Sequence, residues 1–174
     1  MNRILTVPLL IATLGLAACT DPGRFGADGA GGADASASAL NGGIVPGSAN
    51  DPTSPAYFQQ TIGDRVLFAV DQSSLTPEGQ VTLDGQAQWL LSNPDYQAVI
   101  EGHADEQGTR EYNVALGARR ANAVREYMVS KGVPGSRMRV VSYGKERPIE
   151  ICSEESCYAK NRRAVTVLAG GLTS

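Results

Sequence analysis

The sequence predicts an α/β domain in which helices cover one small sheet, and two observations lead to this fold class. From residue 57 onward, short runs rich in β-branched and aromatic residues recur between clusters of charged, Gly and Pro residues. Two longer segments with apolar residues at helical spacing separate these runs. Strands that alternate with helices are typical of a sheet with its connecting helices packed on it.

Four segments are predicted as strands because each is a short apolar run with turn-forming residues at its ends. They are residues 64–70, 96–102, 137–144 and 163–169. Residues 145–162 have no comparable run, so we expect them to be irregular or to contain one short helix.

The first long helix is predicted over residues 75–94. Thr76 is the expected N-cap and Pro77 the first helical residue, since proline fits that position without losing a hydrogen bond. Asn93-Pro94 should end the helix. The stripe expected to face the core is Leu83, Ala87, Leu90 and Leu91.

The second long helix, residues 111–131, carries a charged residue on its apolar face. Arg120 lies four residues after Leu116 and four before Val124, so the three share one side of the helix. That stripe is Leu116, Ala123, Val124, Tyr127 and Met128. A guanidinium there either extends its head into water or pairs with a fixed anion from the protein or a ligand.

A polar stretch, GHADEQGTREYN at residues 102–113, lies where the second strand ends and the second helix begins. Loops at the carboxyl ends of strands are where open α/β sheets bind ligands. Asp105 and Arg120 would present a carboxylate and a guanidinium to one crevice, which suits a zwitterion. Gly102 and Gly108 would allow close backbone approach or a sharp turn.

Two other kinds of site are possible for this stretch. His103, Asp105 and Glu106 could bind a metal, but one His and two loop acids are weak evidence for a metal site. We expect His103 to be a strand-end residue hydrogen-bonded to the loop, with no metal and no cofactor.

A hydrolase would need a nucleophile beside its base, and no nucleophile motif accompanies this single His. The net charge of −3 gives no sign of the basic surface that nucleic-acid-binding proteins carry.

The first residues are typical of a secretory signal, with a basic start, a short apolar run and small residues. They end in Leu16-Ala17-Ala18-Cys19, which resembles the bacterial lipobox. The resemblance implies that residues 1–18 are removed and that Cys19 is acylated, with Thr20 favouring the outer membrane. An ordinary signal peptide containing a Cys is the alternative. Residues 19–56 are rich in Gly, Ala, Ser, Asp and Pro and predict a flexible linker.

Two cysteines, Cys152 and Cys157, lie in the segment before the last strand. A lipoprotein matures in an oxidising compartment, which favours a disulfide between them. Two free thiols or half of a metal site are the alternatives, although this spacing without a second Cys or His pair is weak for zinc.

Three stretches together resemble a known family. They are residues 101–128, EGHADEQGTREYNVALGARRANAVREYM; residues 141–146, VSYGKE; and residues 161–165, NRRAV. The set resembles the OmpA-like peptidoglycan-binding domain and, more narrowly, the peptidoglycan-associated lipoproteins of the Tol–Pal system. The similarity covers roughly residues 60–169, and the lipobox and linker agree with it.

The resemblance implies a βαβαβ(α)β sandwich over residues 57–172, with one small mixed sheet covered by helices. It also implies noncovalent binding of the diaminopimelate side chain of peptidoglycan, which anchors the outer membrane to the wall. Such proteins bind TolB through much the same surface, so wall and TolB should compete. By motif position the pocket residues are Asp105 for the ammonium, Arg120 for the carboxylate, and Asn113, Leu116, Asp71 and Arg162 around them.

The chain departs from the family pattern after the first strand, where it reads Phe68-Ala69-Val70-Asp71 and lacks a commonly present acid and aromatic. The contribution of this first loop is therefore open. The Cys152/Cys157 pair is not general to the family. The alternatives are an OmpA-like anchor of another envelope complex, a structural lipoprotein with an inactive pocket, and a peptidoglycan-acting enzyme.

Overall fold

The structure, a computed structural model, describes residues 44–170. The predicted signal peptide, Cys19 and most of the predicted linker lie outside these residues. Within the described range, no helix combines the length and the apolar character that crossing a membrane requires.

The described chain forms four helices and four strands, and their order confirms the predicted α/β class. A π-helical segment, Phe58–Gly63, follows the first helix directly, and a 3₁₀ turn, Gly135–Arg137, precedes the third strand. The helices and strands are α1 Pro55–Tyr57, β1 Arg65–Leu67, α2 Pro77–Ser92, β2 Tyr96–His103, α3 Arg110–Ser130, β3 Met138–Gly144, α4 Glu155–Asn161 and β4 Arg163–Gly170.

The strands form one mixed sheet in the order β1-β4-β2-β3. β2 and β3 are parallel, whereas β4 runs antiparallel to both of its neighbours. α3 packs across β2 and β3, and α2 packs against α3 and β1. The core lies between the helices and the sheet, and its fully buried members include Phe58, Leu83, Leu90, Ile100, Val124 and Met128.

Helix α2 begins as predicted, but its buried face differs from the predicted stripe. Thr76 Oγ1 accepts a hydrogen bond from the Gly79 amide, and Pro77 is the first helical residue. Leu91 was expected in the core but is 47% exposed. The buried face turns instead toward Gln86 and Trp89, because other parts of the fold supply partners for both.

Those partners come from the sheet and from the segment that precedes β1. The Gln86 amide donates to the Gly63 carbonyl at 2.7 Å and accepts from Thr166 Oγ1 at 2.7 Å. The Trp89 indole N–H donates to the Pro52 carbonyl at 2.7 Å, and its ring packs on Phe58 with 5.0 Å between centroids. The folded part therefore includes residues upstream of position 57, within the predicted linker.

This N-terminal segment docks at one end of the sheet. Tyr96, the first residue of β2, donates from its hydroxyl to the Thr53 carbonyl at 3.3 Å. A cavity there is lined by Pro46, Tyr96 and Gly170, the last residue of β4. The chain thus enters the fold beside the N-terminal end of β2.

β1 is shorter than the predicted strand 64–70. The Phe68 amide still donates to the Arg162 carbonyl at 2.9 Å, but the Phe68 ring turns into the core and the chain then leaves the sheet. Asp71 in the following loop has a positive φ of 55°, a backbone region that Asp tolerates better than most residues.

The segment before β4 was expected to be irregular or to contain one short helix, and it contains one, α4. Cys152 and Cys157 form a disulfide, as predicted, which joins the preceding loop to the first turn of α4.

Candidate ligand pocket

A cavity of about 280 Å³ opens where β2 ends and α3 begins. Its walls come from the loop after β1, the loop between β2 and α3, and the first turns of α3. The lining residues are Val70, Asp71, Asp105, Gln107, Gly108, Tyr112, Asn113 and Leu116.

Two glycines set the distance between α3 and β2 beneath this cavity. A Cβ on Gly102 would lie 1.8 Å from the Gly117 carbonyl oxygen, and one on Gly117 would lie 2.8 Å from the Gly102 oxygen. The backbones therefore touch, as expected for Gly102. Gly108 has a φ of +92° and makes the turn that leads into Thr109, whose hydroxyl caps α3 by accepting from the Tyr112 amide.

Asp105 lies in the pocket wall and is held by two hydrogen bonds. Its Oδ2 accepts from Arg162 Nη1 at 3.1 Å, and its Oδ1 accepts from the Gln107 amide at 3.2 Å. Asp105 is 8% exposed and Arg162 4%. Burial lowers the pKa of Arg162, but Glu155 and Asp105 outweigh that effect and hold it above its ordinary value. The buried carboxylate therefore has a charged partner on its inner side and faces the cavity on its outer side.

Arg120 is fully buried behind the pocket, but neither expected arrangement is seen: its head does not reach water, and within the described residues it forms no ion pair. Its guanidinium donates to three backbone carbonyls: Gln72 at 2.8 Å, His103 at 2.8 Å and Ala69 at 3.1 Å. Burial lowers its pKa to about 10, although the negative charge of Asp105 opposes the shift, so it is cationic at neutral pH. It ties the loop after β1 to the end of β2 and does not line the cavity.

Asn113 and Leu116 form the inner part of the pocket on α3. The Asn113 side chain is 1% exposed and donates to the Gln107 carbonyl at 2.8 Å, which closes the loop against the helix. Leu116 is buried one turn further along and supplies an apolar wall.

Asp71 forms the opposite rim. Its Oδ1 accepts a hydrogen bond from the Tyr112 hydroxyl, which joins the loop after β1 to the start of α3. This hydrogen bond raises the pKa of the Tyr112 phenol. Tyr112 was not among the predicted site residues; it is 44% exposed at the start of α3, and only the fold brings Asp71 opposite it.

His103 ends β2, as expected, but the structure contradicts the expected hydrogen bond to the loop. The ring is 1% exposed, neither ring nitrogen has a hydrogen-bond partner among the described residues, and it stacks on Tyr143 at 5.6 Å between centroids. Burial lowers its pKa to about 4, and the charges of Arg163 and Arg147 act in the same direction. The reason is topological: odd-numbered positions at this end of β2 face away from the helices, and therefore away from the loop. Within residues 44–170 no three His, Cys, Asp or Glu side chains are grouped to hold a metal ion.

The structure therefore brings four predicted residues, Asp71, Asp105, Asn113 and Leu116, to one cavity and places Arg120 and Arg162 directly behind it. Two carboxylates face the cavity and two guanidinium groups lie on its inner side. Such an arrangement can hold a ligand ammonium at the rim by charge and hydrogen bonding, with positive charge deeper in the wall.

Comparison with known proteins agrees with this architecture. The sequence model of the OmpA family matches residues 67–162. The peptidoglycan-associated lipoprotein of Rhizobium meliloti (strain 1021) is 51% identical over 174 residues, which cover 98% of this chain and 92% of that protein. That of Pseudomonas aeruginosa is 42% identical, covering 76% of this chain and 82% of that protein.

Solved structures show the same fold. The peptidoglycan-associated lipoprotein from Burkholderia pseudomallei aligns with a TM-score of 0.62 at 40% identity, covering 70% of this chain and 98% of that one. The C-terminal domain of Helicobacter pylori MotB aligns with a TM-score of 0.58 at 18% identity, covering 62% and 85%, and shares the fold alone. The OmpA family model matches more than half of the chain, and the relative from Rhizobium meliloti matches it over almost its whole length. This chain therefore belongs to the OmpA family and, within it, to the peptidoglycan-associated lipoproteins.

Proposed function

We propose that this protein is an outer-membrane lipoprotein, anchored through Cys19, whose periplasmic domain binds peptidoglycan without covalent chemistry. It would hold the diaminopimelate side chain of the stem peptide and so fasten the outer membrane to the wall within the Tol–Pal system. That role would support envelope integrity and outer-membrane constriction during division. The observation that carries the proposal is the cavity with two carboxylates at its rim and two buried guanidinium groups behind it.

Diaminopimelate ends in a carbon that bears both an ammonium and a carboxylate. In this proposal the ammonium binds Asp105, whose outer side faces the cavity, and Asp71 adds a second negative charge at the rim. Asn113 and Leu116 bound the inner wall. Arg162 fixes the Asp105 carboxylate in place through the bond at 3.1 Å.

Arg120 would attract the ligand carboxylate from behind the wall. All three of its nitrogen atoms already donate to carbonyl oxygens. A direct bond to the ligand would therefore require one of those carbonyls to move aside or one of its two remaining N–H groups to become accessible. In either case its charge reaches the cavity with little screening, because the group is buried.

The test is sedimentation of the full-length protein, in a mild detergent, with purified diaminopimelate-containing sacculi. Wild type should pellet with the sacculi. Asp105→Asn preserves size but removes the charge, so we expect it to stay largely in solution. Asp95→Asn, an exposed acid at the opposite end of β2, is the matched control and should pellet like wild type. Equal pelleting of Asp105→Asn and wild type would exclude Asp105 as the ammonium site.

We also propose that TolB binds the same surface. Its binding should then prevent pelleting of wild type with sacculi in proportion to TolB concentration. Simultaneous binding of TolB and sacculi would contradict this part of the proposal, whereas a complete lack of TolB binding would favour an anchor of another envelope complex.

A further inference from the structure

Glu155 lies behind the pocket wall and contacts the same guanidinium as Asp105. Arg162 Nη1 donates to Asp105 Oδ2 at 3.1 Å and to Glu155 Oε2 at 3.4 Å, and Arg162 Nη2 pairs with Glu155 Oε1. One buried guanidinium is therefore shared between a carboxylate that faces the cavity and a carboxylate that is 65% exposed. The two carboxylates compete for a single positive charge.

Glu155 is held in this position by two constraints. It lies inside the loop that the Cys152–Cys157 disulfide closes. The preceding strand-to-helix loop is fastened by Asn161, whose side chain accepts from the Ile149 amide at 2.8 Å and donates to the Glu150 carbonyl at 2.8 Å. The start of α4 is thereby fixed on both sides, although its residues are at the surface.

We propose that Glu155 is a positioning residue for the ligand ammonium, acting through Arg162, and that the disulfide keeps it there; the inference rests on the proposed function. Asp105, Arg162 and Glu155 together carry a net charge of about −1, from two carboxylates and one guanidinium at neutral pH. Without Glu155 the remaining pair is neutral, and Arg162 offsets the charge of Asp105 more completely. The cavity then presents a weaker negative potential to an ammonium.

The test compares Glu155→Gln with Glu154→Gln in the full-length protein. Glu154 is the adjacent exposed acid, and its side chain makes no capping bond, so the two variants change the total charge equally. The probe is a soluble muropeptide that contains diaminopimelate, and its Kd is measured by calorimetry at low and high salt. We expect Glu155→Gln to raise the Kd about threefold to fivefold at low salt, and less at high salt because the effect is electrostatic.

Glu154→Gln should bind like wild type. If both variants bind like wild type, the inference fails while the proposed function stands. A loss in Glu155→Gln that does not change with salt would assign Glu155 a structural role only and would also overturn the inference. If wild type itself does not bind the muropeptide, the proposed function fails and the inference fails with it.

Reduction of the disulfide tests the second part. Since the disulfide is proposed to act through Glu155, reduction should weaken binding by wild type and leave binding by Glu155→Gln unchanged. An equal loss in both proteins would show that the disulfide acts on the fold in general, and would overturn its proposed role.

Discussion

Arg120 joins three separate parts of the chain at the pocket. Its side chain is the largest that is fully buried in the described structure. The guanidinium donates hydrogen bonds to the carbonyls of Ala69, Gln72 and His103. Two of these bonds reach the loop after β1 and one reaches the end of β2, so the guanidinium holds the two together. Arg120 therefore stabilises the shape of the pocket as well as its charge.

We expect Arg120→Met to lower the free energy of unfolding by about 3 kcal/mol, because three carbonyls lose a charged donor and one of them, that of His103, is buried. Urea unfolding followed by the fluorescence of Trp89, the one tryptophan of the chain, measures the change. Arg119→Met, at the exposed neighbouring position, should stay within about 0.5 kcal/mol of wild type. Equal losses in the two variants would contradict the role of the carbonyl bonds.

Helical periodicity placed Arg120 on the buried face correctly, but it could not identify these partners. Two of the carbonyls belong to residues about fifty positions earlier, Ala69 at a sequence separation of 51 and Gln72 at 48, and the third, that of His103, lies 17 positions earlier. The same limit explains why Glu155 and Tyr112 were missed. Each is polar or solvent-facing within its own helix and gains its role only through a contact from another part of the fold.

At the scale of elements, the contact between α3 and β2 determines where the pocket opens. Gly102 and Gly117 let the two backbones touch, so the first turns of α3 lie directly over the end of the sheet. Any side chain at this contact would displace the helix that carries Tyr112, Asn113 and Leu116.

Gly102→Ala should therefore destabilise the protein by about 3 kcal/mol or prevent folding, since the added Cβ would meet rigid backbone. Thermal unfolding and the yield of folded protein report the effect. Gly85→Ala in α2 is the control, because its added Cβ would lie 3.2 Å from one side-chain methyl, Cγ2 of Ile62, and would not meet backbone. Its cost should be offset by about 1 kcal/mol of helix propensity. A mild effect of Gly102→Ala would mean that α3 can shift freely on the sheet.

The long elements were predictable from the sequence because each carries its own pattern. α2, α3 and three of the strands fall within one or two residues of the predicted bounds. The N-terminal segment was not predicted, since its Gly, Ser and Pro content is typical of a linker. It is held by hydrogen bonds from Trp89 on α2 and Tyr96 at the start of β2 to the Pro52 and Thr53 carbonyls, and such long-range partners leave no local pattern.

At the scale of the whole molecule, His103 makes stability depend on pH. Its pKa in the folded state is about 4, below the ordinary value of 6.5, because the ring is buried and two guanidinium groups are near. Glu101, 3.6 Å from Nε2, opposes this shift but does not reverse it. As pH falls, the unfolded chain takes up the proton first, so stability is lost between about pH 6.5 and pH 4 and is unaffected above that range.

Between pH 7 and pH 4.5 we expect the loss to be about 2 kcal/mol and to disappear in His103→Phe, which keeps a stacking ring but does not titrate. Urea unfolding of both proteins at pH 7 and pH 4.5 isolates the contribution of His103 from that of the carboxylates. The same loss in the variant would mean that the buried ring accepts a proton without cost.

The chain enters the fold beside Tyr96, whereas the pocket opens beyond His103, at the other end of the same strand. These two points are about 25 Å apart along β2. If the protein fastens a membrane to a wall, any tension between them acts parallel to β2, which is bonded on both sides by β3 and β4. The entry segment leads into β1, so such a force reaches the sheet through β1 and shears its pairing with β4 along the strand direction, and the hydrogen bonds of that pairing share the load and must break together. The arrangement resists pulling far better than one in which the strands could be peeled apart one bond at a time.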